Sequence, residues 1–167
     1  MKILRAYGFP EAIVELILKM YSGTLGKVIT SDRLADVFGI LAGVLQGDTL
    51  APYLFIIVVD YVMWTALLGE SAEAGFTIQP ARSRRIHTKK LADTEFADDI
   101  ALTTNTISEA QNLLISVEEA ARMVGLNINV SKTKYLTVNL VGEEPHTITS
   151  KNGHALEEVE DFVYLGA

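Results

Sequence analysis

Hydrophobic and polar positions change period several times along this chain, and those changes divide it into elements. Pro10 and Glu11 precede Ile13, Val14, Leu16, Ile17, Leu18, Met20 and Tyr21, which predicts a mostly buried helix opened by proline and closed before Gly23. Short strand-like runs at 26–31 and 36–41 surround a polar turn, and a glycine-punctuated loop, "AGVLQGDTLAP", leads into an apolar run over 50–69. From Leu91 the pattern is that of strands. Helical spacing then returns at 105–125, where Thr106 and Glu109 form a capping box and Ala110, Leu113, Leu114, Val117, Ala121 and Val124 share one face ahead of Gly125. The last third reads as β-rich, with runs at 126–130, 134–140 and 146–150, and Asn152-Gly153 suits a two-residue hairpin turn.

This order predicts an α+β fold in which helices pack on one face of an antiparallel sheet. With 167 residues, 49% of them hydrophobic, and no internal repeat or linker, the chain is expected to form a single domain. The run over 50–69 has about the length of a bilayer span. Asp60 near its middle and Pro52 in its first turn argue instead for a buried helix, since a central charge costs about 2.5 to 3.5 kcal/mol on insertion scales. No membrane partner is expected.

Charge and cysteine content narrow the function classes. A net charge of −7 opposes a general nucleic-acid-binding surface, because phosphate-backbone affinity comes mainly from Lys and Arg. Locally, Arg82, Arg84, Arg85, Lys89 and Lys90 gather basic charge just before a pair of carboxylates. Taken alone they read as a solvated loop rather than as one side of a nucleic-acid cleft. The absence of cysteine excludes disulfides and thiolate metal sites and, with no targeting segment at the N-terminus, points to an intracellular setting.

The candidate chemistry lies in "TEFADDIAL", residues 94–102, where Asp98 and Asp99 interrupt a strand-like pattern. Neighbouring side chains on a regular strand point to opposite faces, so the two carboxylates converge only if a tight turn carries them. At a hairpin tip they would repel unless a cation neutralised them, and oxygen-only ligation selects Mg²⁺ or Mn²⁺ with substrate phosphates completing the shell. Phosphoryl or nucleotidyl transfer follows as one expectation. An exposed, Asp-rich turn without chemistry is the other.

Four blocks decide between them: "GVLQGDTLAPYLF" at 43–55, "FADD" at 96–99, "GLNINVSKTKYL" at 125–136 and "VEDFVYLG" at 159–166. In sequence and order they closely resemble successive blocks of the reverse transcriptase palm, most nearly that of the RNA-dependent DNA polymerases of non-LTR, LINE-like retrotransposons. The resemblance implies a partial polymerase palm with an adjoining fingers segment over residues 1–167, working on an RNA template, a DNA primer and a dNTP. It implies that Gln46 and Gly47 line the incoming nucleotide and template base. Asp98 would be the principal metal ligand, with Asp99 supporting it, and Lys132 the lysine near the leaving pyrophosphate. Phe162, Tyr164, Leu165 and Gly166 would belong to the primer grip. Lys134 is a second, less fitting lysine for the pyrophosphate.

One expected block is missing. The family supplies a further catalytic Asp from an earlier strand, and here the first acidic residue is Glu11 and the first Asp is Asp32, in a polar turn. The chain thus reads as beginning just after that strand, so bound Mg²⁺ or Mn²⁺ is expected only with the upstream Asp in place, and the isolated chain is expected to lack polymerase activity. Two alternatives keep the same residues in other roles: a non-catalytic nucleic-acid-binding remnant, and an unrelated metal-dependent nuclease. The nuclease would call for His or Asp clusters, which His87, His146 and His154 do not form.

Overall fold

The computed structural model describes residues 1–29, 36–40, 43–45, 47–68, 73–81, 83, 87–139 and 147–164. Gln46, Leu165, Gly166, Asp32, Arg82, Arg84 and Arg85 lie outside the described residues. The chain divides into two compact units, Met1–Val58 and Val59–Ala167.

In the first unit, α1 (Lys2–Ala6) and α2 (Glu11–Tyr21) pack through Leu4, Val14 and Ile17 against Leu50, Leu54 and Ile57. The last two of these lie on α3 (Ala51–Ala66). Pro10 stands just outside α2 with φ −55°, preset for a helix start, and Gly23 follows its end with φ +71°. The expectation of a mostly buried α2 fails: Ile13, Leu16, Leu18 and Met20 are exposed, because the apolar face opposite Glu11, Glu15 and Lys19 is wider than the stripe of Val14 and Ile17 that meets a neighbour among the described residues. Strands β1 (Leu25–Gly26) and β2 (Phe38–Gly39) form a short antiparallel pair; of the runs expected at 26–31 and 36–41, residues 30, 31 and 41 lie outside the described residues.

The second unit is built on the remainder of α3 and on α4 (Ile107–Met123). Val62, Met63 and Ala66 interlock with Leu113, Val117, Ala120 and Ala121 in its main core. The Thr106 hydroxyl accepts from Glu109 N–H at 3.1 Å, while Glu109 reaches one residue further back than a capping box requires, accepting from Asn105 N–H at 3.1 Å. At the other end Leu126 N–H donates to Ala121 O at 2.9 Å and Gly125 N–H to Arg122 O at 3.2 Å, with Gly125 at φ +82°. This is a Schellman ending, and it tucks Leu126 against the core.

Among the described residues the strands do not join into a single antiparallel sheet. The described residues instead show four two-stranded pairs, of which β3 (Phe76–Gln79) with β4 (Lys89–Leu91) and β5 (Asp93–Phe96) with β6 (Asp99–Leu102) are antiparallel like β1 with β2. The fourth, β7 (Lys134–Tyr135) with β8 (Glu157–Glu158), is parallel. The run at 126–130 forms no strand; Leu126, Ile128 and Val130 satisfy their alternation by packing on the cores, and Asn129 starts a turn. The two-residue turn expected at Asn152-Gly153 is three residues long. Ser150 N–H donates to His154 O at 2.8 Å around Lys151, Asn152 and Gly153, and Gly153, at φ +79°, takes the left-handed position such loops need. The class remains α+β, with helices supplying the cores. No helix among the described residues is long and apolar enough to cross a membrane.

Candidate active site

The hairpin β5–β6 carries the carboxylate pair. Its register pairs Asp93 with Leu102, Thr94 with Ala101, Glu95 with Ile100 and Phe96 with Asp99, leaving Ala97 and Asp98 as a two-residue turn. Ala97 alone of the two has positive φ, +56°, as the first position of a II′ turn demands. Alternation fixes the faces. Ile100 and Leu102 pack against the α3–α4 core, so Asp99, with its cross-strand partner Phe96, lies on the face directed away from that core. Asp98 and Asp99 are both exposed, and Phe96 beside them is 63% exposed. The turn thus carries both adjacent carboxylates on the exposed tip of a hairpin whose other face is held by apolar packing.

On the core-facing side the same alternation places polar residues where apolar ones would be usual. Asp93 and Glu95 share the face of Leu102 and Ile100, toward Asp60 of α3. Desolvation, a hydrogen bond with Asp93 and the charges of Asp93 and Asp60 push the Glu95 carboxyl up to about 7. Among the described residues no group of three His, Cys, Asp or Glu side chains is arranged to hold a metal ion. The oxygen donors of Asp98 and Asp99 suit a hard divalent cation as part of a shell, and further ligands must come from elsewhere.

Asn129 organises the turn that displays Lys132. Its carbonyl accepts from Lys132 N–H and from Thr133 N–H, each at 3.0 Å, and its side chain accepts from Ser131 Oγ at 2.8 Å. Lys132 is exposed and makes no ion pair among the described residues, whereas the Lys134 ammonium is held by Glu157. The two lysines are therefore not equivalent: only Lys132 offers an uncommitted charge. The segment of Phe162 and Tyr164 forms no strand, and Phe162 is exposed. It nevertheless comes up to the hairpin, with the Tyr164 hydroxyl 3.3 Å from Thr94 O and 3.4 Å from Asp99 O, both long for such bonds.

In the first unit Gly47 has φ +89°, a conformation that favours glycine, with open space where a Cβ would stand. Asp48, next to it, accepts from Leu50 N–H at 3.1 Å with one carboxylate oxygen and from the Tyr21 hydroxyl with the other.

A family model for reverse transcriptase (RNA-dependent DNA polymerase) matches residues 1–167. The chain belongs to the reverse transcriptase family. It is 28% identical to the retrovirus-related Pol polyprotein from the type-2 retrotransposable element R2DM of Drosophila melanogaster, over 98% of this chain and 15% of that protein. It is 27% identical to the corresponding Pol polyprotein from the type-1 retrotransposable element R2 of Popillia japonica, over 99% of this chain and 27% of that one. The chain thus spans less than a third of the length of these relatives. Its likeness is to the non-LTR, LINE-like branch of reverse transcriptases. Enzymes of this family use divalent metal ions and engage a nucleic-acid template and primer. Membership displaces the unrelated-nuclease reading of the carboxylates.

Two features of this reverse transcriptase chain escape sequence reasoning. The Tyr21–Asp48 contact joins residues 27 apart, and no periodicity signals it. The inward side of "DTEF" could have been found: strict alternation from Ile100 and Leu102 across a hairpin already assigns Asp93 and Glu95 to the core-facing side, where Asp93 is half-buried and Glu95 stays exposed.

Proposed function

We propose that this chain supplies the nucleotidyl-transfer region of an RNA-directed DNA polymerase, with Asp98 as principal ligand and Asp99 as supporting ligand of Mg²⁺ or Mn²⁺. The observation that carries the reading is the two-residue turn presenting both carboxylates on an exposed hairpin tip backed by a packed core. A divalent cation bound there supplies Lewis-acid polarisation of phosphate oxygens. The chain's own residues do the rest. Asp98 and Asp99 fix the ligand oxygens, Lys132 brings an uncommitted ammonium for the departing pyrophosphate, and Gly47 with Gln46 lines the nucleotide and template base. Phe162 and Tyr164, with Leu165 and Gly166, grip the primer. In the reaction the primer 3′-oxygen forms a bond to the α-phosphorus of a dNTP, the bond to the bridging oxygen breaks, and the 3′-hydroxyl proton is lost as pyrophosphate leaves. RNA is the template and DNA the primer.

Because no third carboxylate joins the pair among the described residues, the chain alone is expected to bind without extending a primer. The same observation favours a second reading, a nucleic-acid-binding module without chemistry.

Titration with Mn²⁺ of the chain joined to an upstream strand that bears a further Asp, in the presence of a DNA primer on an RNA template, separates the two. Enhancement of water-proton relaxation that disappears in Asp98→Asn and weakens in Asp99→Asn is the expected result. Equal enhancement in the wild type and Asp98→Asn, with salt-dependent RNA binding intact, would leave only the binding module. Primer extension by the chain that is abolished in Asp98→Asn would overturn the expectation of inactivity.

A further inference from the structure

Tyr21 ends α2 with its ring against the Leu4, Val14 and Ile17 cluster, which fixes where its hydroxyl can reach. That hydroxyl donates to one carboxylate oxygen of Asp48. The other oxygen accepts from Leu50 N–H at 3.1 Å, and the Asp48 backbone is tied on both sides, its N–H to Leu45 O at 3.1 Å and its C=O to Ala51 N–H at 3.2 Å. Asp48 therefore caps the turn that opens α3 and is itself held by a side chain from α2. Gly47, immediately before it, stands at φ +89° and, as a glycine, carries more backbone freedom than any other residue type. Fixing Asp48 removes that freedom on one side of the glycine.

We infer that Tyr21 is a positioning residue for the loop at Gly47: by holding Asp48 it fixes the backbone that faces the incoming nucleotide. This rests on the reading of Gly47 as part of the nucleotide site. The contact is durable across ordinary pH. The Tyr21 bond, then that from Leu50 N–H, hold the Asp48 carboxyl below its usual range, and the bond to Asp48 pushes the Tyr21 hydroxyl up to about 12. A charged acceptor also makes this bond stronger than one between neutral groups. Substituting phenylalanine removes the donor and keeps the ring in its apolar seat, so the loop can be released without opening the core.

Two measurements on the full chain test this. Amide hydrogen exchange over 47–50 reads the pinning, and fluorescence anisotropy of a DNA primer on an RNA template, with and without a complementary dNTP, reads its consequence. In Tyr21→Phe, exchange over 47–50 is expected to accelerate by about tenfold while α4 amides keep their protection. The dNTP-dependent gain in affinity is expected to fall by about fivefold, with affinity in the absence of dNTP unchanged. Asp48→Ala should show the same split, and Tyr21→Phe with Asp48→Ala should be no worse than the more severe single change, because each breaks the Tyr21–Asp48 contact. Tyr53→Phe, at an exposed position of α3, should change neither reading. Unchanged exchange over 47–50 in Tyr21→Phe would overturn the inference, as would faster exchange with the full dNTP response retained. A wild-type chain with no dNTP response would instead overturn the reading of the Gly47 loop, and the inference with it, a failure recognisable because no variant is needed to see it.

Discussion

Phe96 and Asp99 face each other as the last cross-strand pair of β5–β6, so the two residues between them, Ala97 and Asp98, must reverse the chain alone. The reversal puts Ala97 at φ +56°, where an L-residue pays roughly 1 to 2 kcal/mol that glycine does not. Glycine recovers part of that and loses part to the entropy of a freer unfolded chain. Ala97→Gly is therefore expected to raise stability by about 0.5 kcal/mol. Ala97→Val, whose branched side chain tolerates this region poorly, should lower it by more than about 1 kcal/mol. Urea unfolding of the three chains checks the ordering; valine equal to alanine would mean that the turn is not the one described.

Much of this hairpin was legible beforehand, because two acidic residues between apolar runs have few places to go other than a turn. The helix at Ile107–Met123 was legible to within a residue at each end, since its cap, its apolar face and its glycine stop all agree. Pairing was not. Val28 and Ile29, and the run at 134–140, have strand-like side chains, yet the ladders at β1–β2 and β7–β8 are two residues long. A strand needs a partner at the right distance, and local pattern carries no information about one. The site divides the same way: the turn holding Asp98 is local, whereas Tyr21 with Asp48, and Tyr164 with the hairpin, are contacts between distant segments.

The cap of α4 offers a second test. Thr106 satisfies Glu109 N–H and Glu109 satisfies Asn105 N–H, so two donors at the helix start depend on two side chains. Thr106→Ala should cost about 0.5 to 2 kcal/mol, and Glu109→Gln, which keeps an acceptor oxygen, distinctly less. Thermal unfolding followed by circular dichroism reads both. A loss in Glu109→Gln as large as that in Thr106→Ala would mean that the Glu109 charge, rather than its hydrogen bond, supports the helix end.

Gly75 connects the main core to β3, at φ +128° with its carbonyl accepting from Asn105 Nδ2 at 2.8 Å. A Cβ there would stand 2.9 Å from Leu91 O and 3.0 Å from Leu91 C, both backbone atoms that cannot rotate away. Gly75→Ala is expected to cost more than about 2 kcal/mol, combining a forbidden φ with displacement of β4. Gly43→Ala, also at positive φ but with open space around it, carries only the first penalty and should cost less. Comparable losses in the two would place the whole cost in backbone conformation and none in the contact with Leu91.

Glu95 sets a pH dependence whose direction follows from its surroundings. Burial, then the hydrogen bond and charge of Asp93, then the charge of Asp60, raise its carboxyl from an ordinary 4.5 to about 7. The fold thus favours the neutral form, so the stabilising contribution is complete below about pH 4.5 and is lost as the pH rises toward 7. Glu95 is exposed by surface area, so solvent screens part of the repulsion and limits the size of the effect. Glu95→Gln keeps the hydrogen bond to Asp93 and cannot ionise, so it should be more stable than the wild type at pH 8 and lose that advantage near pH 5. Urea midpoints at the two pH values give the comparison. An advantage of Glu95→Gln that is the same at both would mean that Glu95 is already charged at pH 5, with the negative charges of Asp93 and Asp60 too distant to hold its proton.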